Sequence, residues 1–309
     1  MSAELLSPRA AALERIKALV LDSLPSAESK RAYRQALNDF FNWCGAEAVD
    51  GFTKATVNAY RANLEARRLS SSTINQRLCA IRKLATEAAD NGFMSPELAS
   101  AISRVKGAKQ SGIRSGQWLT REQAESLISA PNPATMKGKR DRALLAVLIG
   151  CGLRRKEATT LTVEHIQLRD SRWVIVDLIG KGGRVRTVPM PTWAKSAMDL
   201  WTAAAGIDNG LVFRAITKGG RVTGESMTAR GVFEVVKEFG CKIGTPNLAP
   251  HDLRRTFAKL AHKGRAALEQ IQLSLGHASI TTTERYLGVR QDLTDAPCDH
   301  LGLTVEIPS

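Results

Sequence analysis

Apolar residues recur every three or four positions along the first hundred residues, which is the spacing of helices with one buried face. Each predicted helix begins at a residue that favours a helix start: Pro8, Ser26 or Ser29, Thr53, the serines at 70–72, and Ser95-Pro96. The apolar stripes are Tyr33, Leu37, Phe40, Phe41, Cys44; then Val57, Tyr60, Leu64; then Ile74, Leu78, Ile81, Leu84. No strand pattern interrupts them, so this segment predicts a small helical bundle over 26–105, preceded by a separate helix within 1–25.

After Val105 the pattern stops in KGAKQSGIRSGQ, a stretch rich in Gly, Ser and basic residues with a single isoleucine. Such a segment cannot build a core. It predicts a flexible basic linker over 106–117 and a domain boundary there.

The residues after the linker show both the helical period of 3.6 and the strand period of two. A T-x-x-Q capping box at Thr120 opens a helix, and a buried helix from about Lys139 carries ALLAVLIG. WVIVDLI and RVRTVPM, joined by GKGG, predict a β-hairpin. Further predicted elements are a helix in PTWAKSAMDLWTAAAG, a strand in GLVFRAI and a glycine-rich loop around KGGRVTGES. Four more helices are predicted: one from Thr228 to Gly240, one that starts at Pro250, one that ends at Gly276, and one that starts at about Thr281. The predicted fold is mainly α with a small antiparallel β-sheet.

The charge of the chain indicates what kind of partner it binds. The chain of 309 residues carries a net charge of +14 and has a pI near 9.9, which favours a polyanionic partner, most often nucleic acid. Six basic residues of the bundle lie off its apolar stripes and are predicted to face outward as DNA contacts: Lys30, Arg31, Arg34, Arg77, Arg82 and Lys83. A merely solvated polar face is the alternative interpretation.

Cysteines and targeting signals exclude several classes of protein. The five cysteines, Cys44, Cys79, Cys151, Cys241 and Cys298, are scattered and never form CxxC, so neither a disulfide framework nor a zinc site is indicated. No apolar run approaches the roughly 20 residues that span a bilayer, and the first residues are amphipathic, with acids, unlike a signal peptide. We expect a cytoplasmic protein with no membrane contact, metal or cofactor.

Candidate chemistry lies near the C-terminus. His251 and Arg254 are three residues apart on a predicted helix that starts at Pro250, so they share a face near a helix N-terminus, a favourable site for phosphate. His277 follows a predicted helix end, and Tyr286 comes nine residues later. Upstream, GCGLRRKE projects Arg154 from a glycine turn with Glu157 three residues on, and the hairpin turn carries Lys181. An exposed turn lysine is the simpler interpretation of Lys181.

Taken together, these motifs resemble those of the tyrosine recombinases, the phage-integrase-like and Xer-like site-specific DNA recombinases. GLRRKE, GKGGRVRTVP, HDLRRTFA, LGHAS and TTERYL occur in the order of that family's motifs. The resemblance implies a core-binding domain at 26–105, a catalytic domain at 118–290, and a tail at 291–309 that could be exchanged between protomers.

The resemblance also implies the chemistry. Tyr286 would form a 3′-phosphotyrosyl link without metal or ATP, and Lys181 would protonate the leaving 5′-oxygen. Arg154 and Arg254 would bind the phosphate and stabilise its charge, with Glu157 in support. His251 would assist proton transfer from Tyr286, and His277 would hydrogen-bond a phosphate oxygen. The implied partner is double-stranded DNA with a specific site, bound by a homodimer at each site and a tetramer in the synapse.

Two other functions remain open from the residues: a type IB topoisomerase, which shares the chemistry, and a non-catalytic DNA-binding regulator derived from a recombinase. Apart from the candidate catalytic residues, we expect no catalytic part for His165, His262 or His300, and a structural role or an indirect phosphate contact for Arg255. Four tryptophans are predicted to pack in the core or between domains: Trp118, Trp173, Trp193 and Trp201.

Overall fold

The structure, a computed structural model, describes residues 8–49, 51–109, 117–180 and 183–288. Its contacts divide the chain into two compact units, one within 1–114 and one within 115–309. The described part of the first unit contains helices and no strand: α1 Pro8–Asp22, α2 Ala27–Ala46, α3 Lys54–Ala66, α4 Ser71–Asp90 and α5 Pro96–Ser103.

The helix starts of the first unit follow the capping residues in the sequence. Ser26, Thr53, Ser70 and Ser95 each have extended backbone and accept a hydrogen bond from a backbone N–H three residues on. Of the two candidate caps for α2, the structure selects Ser26. The predicted stripes form the core of the unit, in which Leu37, Val57, Tyr60, Leu64, Leu78 and Ile81 are fully buried.

The second unit contains eight α-helices and five strands in its described part. The helices are α6 Arg121–Ser129, α7 Met136–Gly150, α8 Arg155–Thr159, α9 Thr192–Ala205, α10 Ala229–Lys242, α11 Pro250–Lys263, α12 Leu268–Leu275 and α13 Ile280–Leu287. The strands are β1 Ile166–Arg169, β2 Arg172–Ile179, β3 Val185–Pro189, β4 Arg214–Ile216 and β5 Val222–Ser226, with a 3₁₀ turn at Val163–His165. The mainly α fold class is confirmed.

The β structure is larger than the predicted single hairpin. The predicted hairpin is β2 and β3, but β1 pairs with β2 to complete a three-stranded antiparallel sheet in the order β1-β2-β3. β4 and β5 form a second antiparallel hairpin, so the prediction of a loop around KGGRVTGES was wrong over β5. Both missed strands are short and have no fully buried residue, and so they lack the alternation that marks a strand in sequence.

α7 is the centre of the second unit. It begins at Met136 after a Thr135 cap, three residues earlier than predicted, and its residues from Ala143 to Leu148 are fully buried. A helix that is apolar on all sides must be surrounded, and α6, α8, α9, α10 and α11 all pack against it. This fixed helix ends at Gly150, immediately before the turn that carries Arg154.

Two of the predicted packing tryptophans differ in burial. Trp201 is a core residue whose Nε1 donates to the carbonyl of Val212 at 2.9 Å, as expected. Trp193 is 46% exposed, so it is not a core residue, although its ring packs against Gly150. In the part of the chain that the structure describes, no helix is long and apolar enough to cross a membrane.

Candidate active site

Tyr286 lies on α13, a helix that is held at both ends. Ser279 caps its start, and Gly288, in the left-handed region with φ 63°, follows its last residue. Thr283 and Leu287 form its buried face, and the Nζ of Lys259 on α11 donates to the carbonyl of Leu287. The short helix therefore presents Tyr286 in a fixed direction toward α11.

Two histidine rings flank the phenol of Tyr286. Its centroid lies 5.5 Å from that of His251 and 5.3 Å from that of His277, and both contacts are edge-to-face. The phenol hydroxyl donates to the backbone carbonyl of His251 at 3.3 Å. Burial raises the pKa of Tyr286, and Arg254 and Arg255 only partly oppose this effect. The hydroxyl therefore carries its proton at neutral pH.

His251 and Arg254 project from the first turns of α11, which starts with Pro250 at its first helical position, as predicted. Arg254 is 1% exposed, and its Nη1 donates to the carbonyl of Gly152 at 2.6 Å while its Nη2 donates to that of Leu275. Burial lowers the pKa of Arg254 to about 9, with a further contribution from Arg154. The guanidinium remains a cation at neutral pH and joins three segments around the site.

Arg154 is the residue before α8 and follows a tight turn. Gly152 adopts φ +58°, and a Cβ there would lie 2.7 Å from Cδ1 of Phe257, so the turn requires glycine both for its backbone and for its space. The predicted contact with Glu157 is present. The Nη1 of Arg154 donates to Oε1 of Glu157 at 2.8 Å, and its backbone N–H donates to Oε2 at 2.7 Å.

Arg186 on β3 was not predicted from the sequence. Its Nη1 and Nη2 donate to the two carboxylate oxygens of Glu157 at 2.9 and 2.8 Å, and its Nε donates to the carbonyl of Ser274 at 2.8 Å. The strand period of two could have indicated it, because Arg186 shares a face with the buried Val188 and Met190. An arginine on a buried face needs a partner, and Glu157 is that partner.

Glu157 is consequently shared between two arginines. Burial alone would raise its pKa, but hydrogen bonds from Arg186 and Arg154 outweigh this effect and lower the pKa of Glu157 to about 2. The carboxylate is ionised at neutral pH, and it holds the guanidinium of Arg154 in one orientation.

His277 directly follows Gly276, which ends α12 in the left-handed region at φ 60°. The Nδ1 of His277 lies 3.0 Å from the hydroxyl of Thr283. Burial lowers the pKa of His277 to about 4, with further contributions from Arg254 and Arg154. The ring is therefore neutral at physiological pH. With Nδ1 engaged, Nε2 is the atom that can reach a substrate oxygen.

Lys181 lies outside the described residues, but the described Gly180 before it is close to the arginines. A Cβ built on Gly180 would lie 3.3 Å from Nη1 of Arg186 and 3.4 Å from Nη1 of Arg154. The other predicted site residues, Arg154, His251, Arg254, His277 and Tyr286, come together with Glu157 in the second unit. Their arrangement presents guanidiniums and neutral imidazoles around one phenol, which suits an anionic substrate that the phenol attacks.

The predicted basic contacts of the first unit have different environments. Arg31 and Arg34 are exposed. The Nζ of Lys30 lies 3.6 Å from Oδ1 of Asp22, and the Nζ of Lys83 lies 2.7 Å from Oε1 of Glu87. The prediction that Arg77 and Arg82 face outward was wrong. Asp39 accepts hydrogen bonds from Arg77, Arg67 and Tyr60, and the side chain of Arg77 is only 11% exposed; Arg82 donates to the carbonyl of Val105.

The other residues assigned no catalytic part have local contacts. The Nδ1 of His165 bonds within the 3₁₀ turn to Thr162, His262 is exposed, and His300 lies outside the described residues, as does the tail at 291–309. Among the described residues, no group of three or more His, Cys, Asp or Glu side chains could hold a metal ion.

Comparison with known proteins gives the same family for both units. Residues 117–292 match the family model described as the phage integrase family, and residues 16–92 match that of the phage integrase N-terminal SAM-like domain. Tyrosine recombinase XerC of Pseudomonas putida (strain W619) is 30% identical over 261 residues, which cover 82% of this chain and 83% of the relative. Tyrosine recombinase XerC of Roseiflexus castenholzii is 28% identical over 283 residues, covering 89% and 87%.

Solved structures share the fold. XerH site-specific recombinase bound to a palindromic difH substrate, in a post-cleavage complex, aligns with a TM-score of 0.71 at 20% identity and covers 90% of this chain and 80% of its own. The Tn1549 transposon integrase in complex with circular intermediate DNA aligns with a TM-score of 0.67 at 17% identity, covering 93% and 98%.

Proposed function

The chain belongs to the phage integrase family of tyrosine recombinases and is a site-specific DNA recombinase, and we propose that Tyr286 is its nucleophile. The observation that carries this assignment is the position of the Tyr286 phenol between His251 and His277, beside the buried guanidinium of Arg254. The other proposed catalytic residues are Arg154, Lys181, His251, Arg254 and His277, with Glu157 in support.

We propose the following cleavage step. The phenol oxygen of Tyr286 attacks the phosphorus, its O–H proton passes to His251, and the bond from phosphorus to the 5′-oxygen breaks. Lys181 protonates that oxygen, so the strand ends as a 3′-phosphotyrosyl ester and a free 5′-hydroxyl. Arg154 and Arg254 stabilise the negative charge that builds on the non-bridging oxygens.

Rejoining uses the same groups in reverse. The 5′-hydroxyl of a second strand attacks the phosphotyrosyl ester, and Tyr286 leaves with its proton restored. The ester retains the free energy of the broken bond, so exchange requires neither ATP nor a metal ion. His277, neutral at physiological pH, donates through Nε2 to a phosphate oxygen.

The first unit is proposed to clamp the DNA duplex through its exposed cations. Arg31 and Arg34 lie on one turn of α2, and Lys30 is adjacent. Contacts of this kind bind phosphates without reading sequence. Because each chain carries one nucleophile, exchanging two strands at each of two sites requires four protomers. We therefore propose a dimer on each site and a tetramer in the synapse, with the tail at 291–309 exchanged between neighbours.

Trapping of the covalent intermediate tests the proposal. The DNA site is first located by footprinting, and nicked suicide substrates carrying it are then incubated with the wild type and with Tyr286→Phe. We expect an adduct only with the wild type and equal DNA binding by both proteins. Tyr33→Phe is the matched control and should retain the adduct, since Tyr33 lies in the first unit, where its hydroxyl contacts Cys79 of the same unit.

Other outcomes would identify the competing functions. An adduct that survives in Tyr286→Phe contradicts the assignment of the nucleophile. Relaxation of supercoiled DNA without sequence preference would favour a topoisomerase. Specific binding with no cleavage by the wild type would favour a regulator that has lost catalysis.

A further inference from the structure

Arg255 contacts the phenol of Tyr286 but has no part in the chemistry above. Its guanidinium carbon lies over the ring, 5.1 Å from the centroid. On its other side, Nη1 donates to Oδ1 of Asp252 at 3.3 Å, and the side chain of Arg255 is only 17% exposed. We propose that Arg255 is a positioning residue for Tyr286: its guanidinium holds the phenol ring and supplies positive charge to the oxygen as it becomes a nucleophile.

Asp252 makes this arrangement rigid. Its Oδ2 accepts from the backbone N–H of Ala249 at 3.1 Å, which caps the start of α11, and its carbonyl accepts from the hydroxyl of Thr256 at 2.9 Å. Arg255 follows Asp252 by three residues and so lies on the same helix face. The guanidinium is thus fixed between a capping carboxylate and the ring.

The three contacts of Tyr286 differ in direction. His251 and His277 meet the ring in edge-to-face geometry, whereas Arg255 lies over its face. A planar guanidinium stacks on an aromatic face and carries a permanent charge, which makes arginine suited to this position. Pairing with Asp252 alone would not require the guanidinium of Arg255 to lie over the ring of Tyr286.

The charges around the phenol determine how removal of Arg255 would change the pKa of Tyr286. The titratable and charged groups that face Tyr286 are His251, Asp252, Arg254 and Arg255 from α11, His277 from the turn before α13, and Arg154 from the turn before α8. Burial raises the pKa of Tyr286, Arg254 and Arg255 lower it, and Asp252 raises it. Removing the Arg255 charge therefore shifts the pKa of Tyr286 upward.

A tyrosine titration of the full chain measures this shift directly. The chain has only three tyrosines, and burial raises the pKa of Tyr33 to about 12 and that of Tyr60 above the usual range. Labelling with ¹³Cζ-tyrosine gives three resonances, and Tyr286→Phe assigns the relevant one. A nearby positive charge favours the ionised phenol. We therefore expect Arg255→Gln to raise the pKa of Tyr286 above that of the wild type, by less than an unpaired arginine would because Asp252 partly offsets the charge of Arg255.

Two variants separate positioning from a structural role. Arg255→Lys keeps the charge and should remain nearer the wild type than Arg255→Gln, while Arg230→Gln, which removes a guanidinium lying over Phe233 on α10, should leave Tyr286 unchanged. If Arg255→Gln does not fold, Arg255→Met gives the same charge change with a similar aliphatic length. An unchanged Tyr286 pKa in the folded neutral variant, or equal shifts in the Lys and Gln variants, would overturn the proposal.

The inference rests on the proposed function only in taking Tyr286 as the nucleophile. The titration uses the protein without DNA, so it can succeed or fail independently of the trapping experiment. An adduct retained by Tyr286→Phe would remove the proposed function, whereas an unmoved pKa would remove only the role of Arg255.

Discussion

At the scale of single residues, the site depends on shared partners more than on individual catalytic groups. Glu157 accepts from both Arg154 and Arg186, and Arg186 also reaches the carbonyl of Ser274, next to the turn that carries His277. One carboxylate therefore orients guanidiniums from two different elements. In the proposed mechanism, Glu157 and Arg186 would therefore determine where the phosphate binds without contacting it.

Replacing Glu157 by Gln tests this coupling through stability. Losing one partner of a buried ion pair costs about 3–5 kcal/mol, so we expect a lower free energy of unfolding at pH 7. Because the folded pKa of about 2 lies below the ordinary 4.5, the contribution of Glu157 is full above pH 4.5 and disappears as the pH falls toward 2. Denaturation of both proteins between pH 7 and 2 should show their difference shrinking over that window.

Glu225→Gln is the control for this series, since Glu225 is exposed on β5. It should leave the free energy of unfolding unchanged at every pH. A difference between the wild type and Glu157→Gln that stays constant from pH 7 to 2 would contradict the buried ion pair.

The protonation state of His277 is a second prediction at this scale. Its pKa of about 4 in the folded protein lies below the ordinary 6.5, so the stability it confers is present above pH 6.5 and is lost as the pH falls toward 4. Imidazole NMR of the folded protein should show a neutral His277 ring at pH 6. Titration of that ring near pH 6.5 would mean that burial and the arginines do not act on it as described.

At the scale of elements, helix starts and turns position the chemistry. Gly152 follows the buried helix α7 and directs Arg154, and both its left-handed backbone and its contact with Phe257 require the absence of a Cβ. Gly206 after α9 has a similar φ of +62°, but no neighbouring atom lies within 4 Å of the point that a Cβ would occupy. A side chain at Gly206 would meet backbone strain alone, whereas one at Gly152 would meet both backbone strain and steric overlap with Phe257.

Alanine substitution at each glycine tests that difference. Gly206→Ala should cost about 1 kcal/mol, from the left-handed backbone alone. Gly152→Ala should cost more, since Phe257 must also move, and it should reduce adduct formation because Arg154 is displaced. Thermal or chemical denaturation measures the first effect and suicide-substrate cleavage the second. Equal destabilisation by the two variants would contradict the steric account.

Much of this element structure could be predicted from local sequence. Ser26, Thr53, Ser95 and Thr120 each cap a helix, because a cap depends only on residues within one turn. The short strands β1 and β5 were missed, since their faces are not buried and their sequences carry no alternation. The β-propensity and hydrophobic period of a segment do not show which other strand it pairs with.

The motifs predicted Arg154, His251, Arg254, His277 and Tyr286 as one site, and the structure brings these side chains together. Their catalytic roles remain a prediction that the trapping experiment tests. The guanidinium of Arg186 and the neutralised Arg77 were not anticipated, because each depends on a carboxylate more than 25 residues away in sequence. A sequence reveals that a residue is charged, but only the fold shows whether that charge is already paired.

At the scale of the whole molecule, the net charge of +14 implies salt-dependent DNA binding, but not all cations contribute equally. Arg31 and Arg34 are exposed on α2, whereas Arg77 is held by Asp39. We expect the double variant Arg31→Ala, Arg34→Ala to weaken binding at every sequence. For each phosphate that the variant no longer neutralises, the slope of log K against log salt should become shallower by about 0.9.

Arg77→Ala is the comparison for this prediction. It should mainly destabilise the first unit, because Asp39 loses a partner there, and it should leave the salt slope close to that of the wild type. Fluorescence anisotropy between about 50 and 200 mM salt measures the slopes. A slope that becomes shallower for Arg77→Ala but not for the double variant would contradict the assignment of the DNA-facing surface.

Tyr286 is proposed to carry the broken strand, and the covalent adduct itself tests this most directly. Wild-type protein trapped on a suicide substrate can be digested with nuclease and protease, and mass spectrometry then locates the residue that retains a nucleotide. We predict a single modified peptide, with a 3′-linked nucleotide on Tyr286. A nucleotide on Tyr33, Tyr60 or any other residue, or one attached through its 5′ end, would contradict the account.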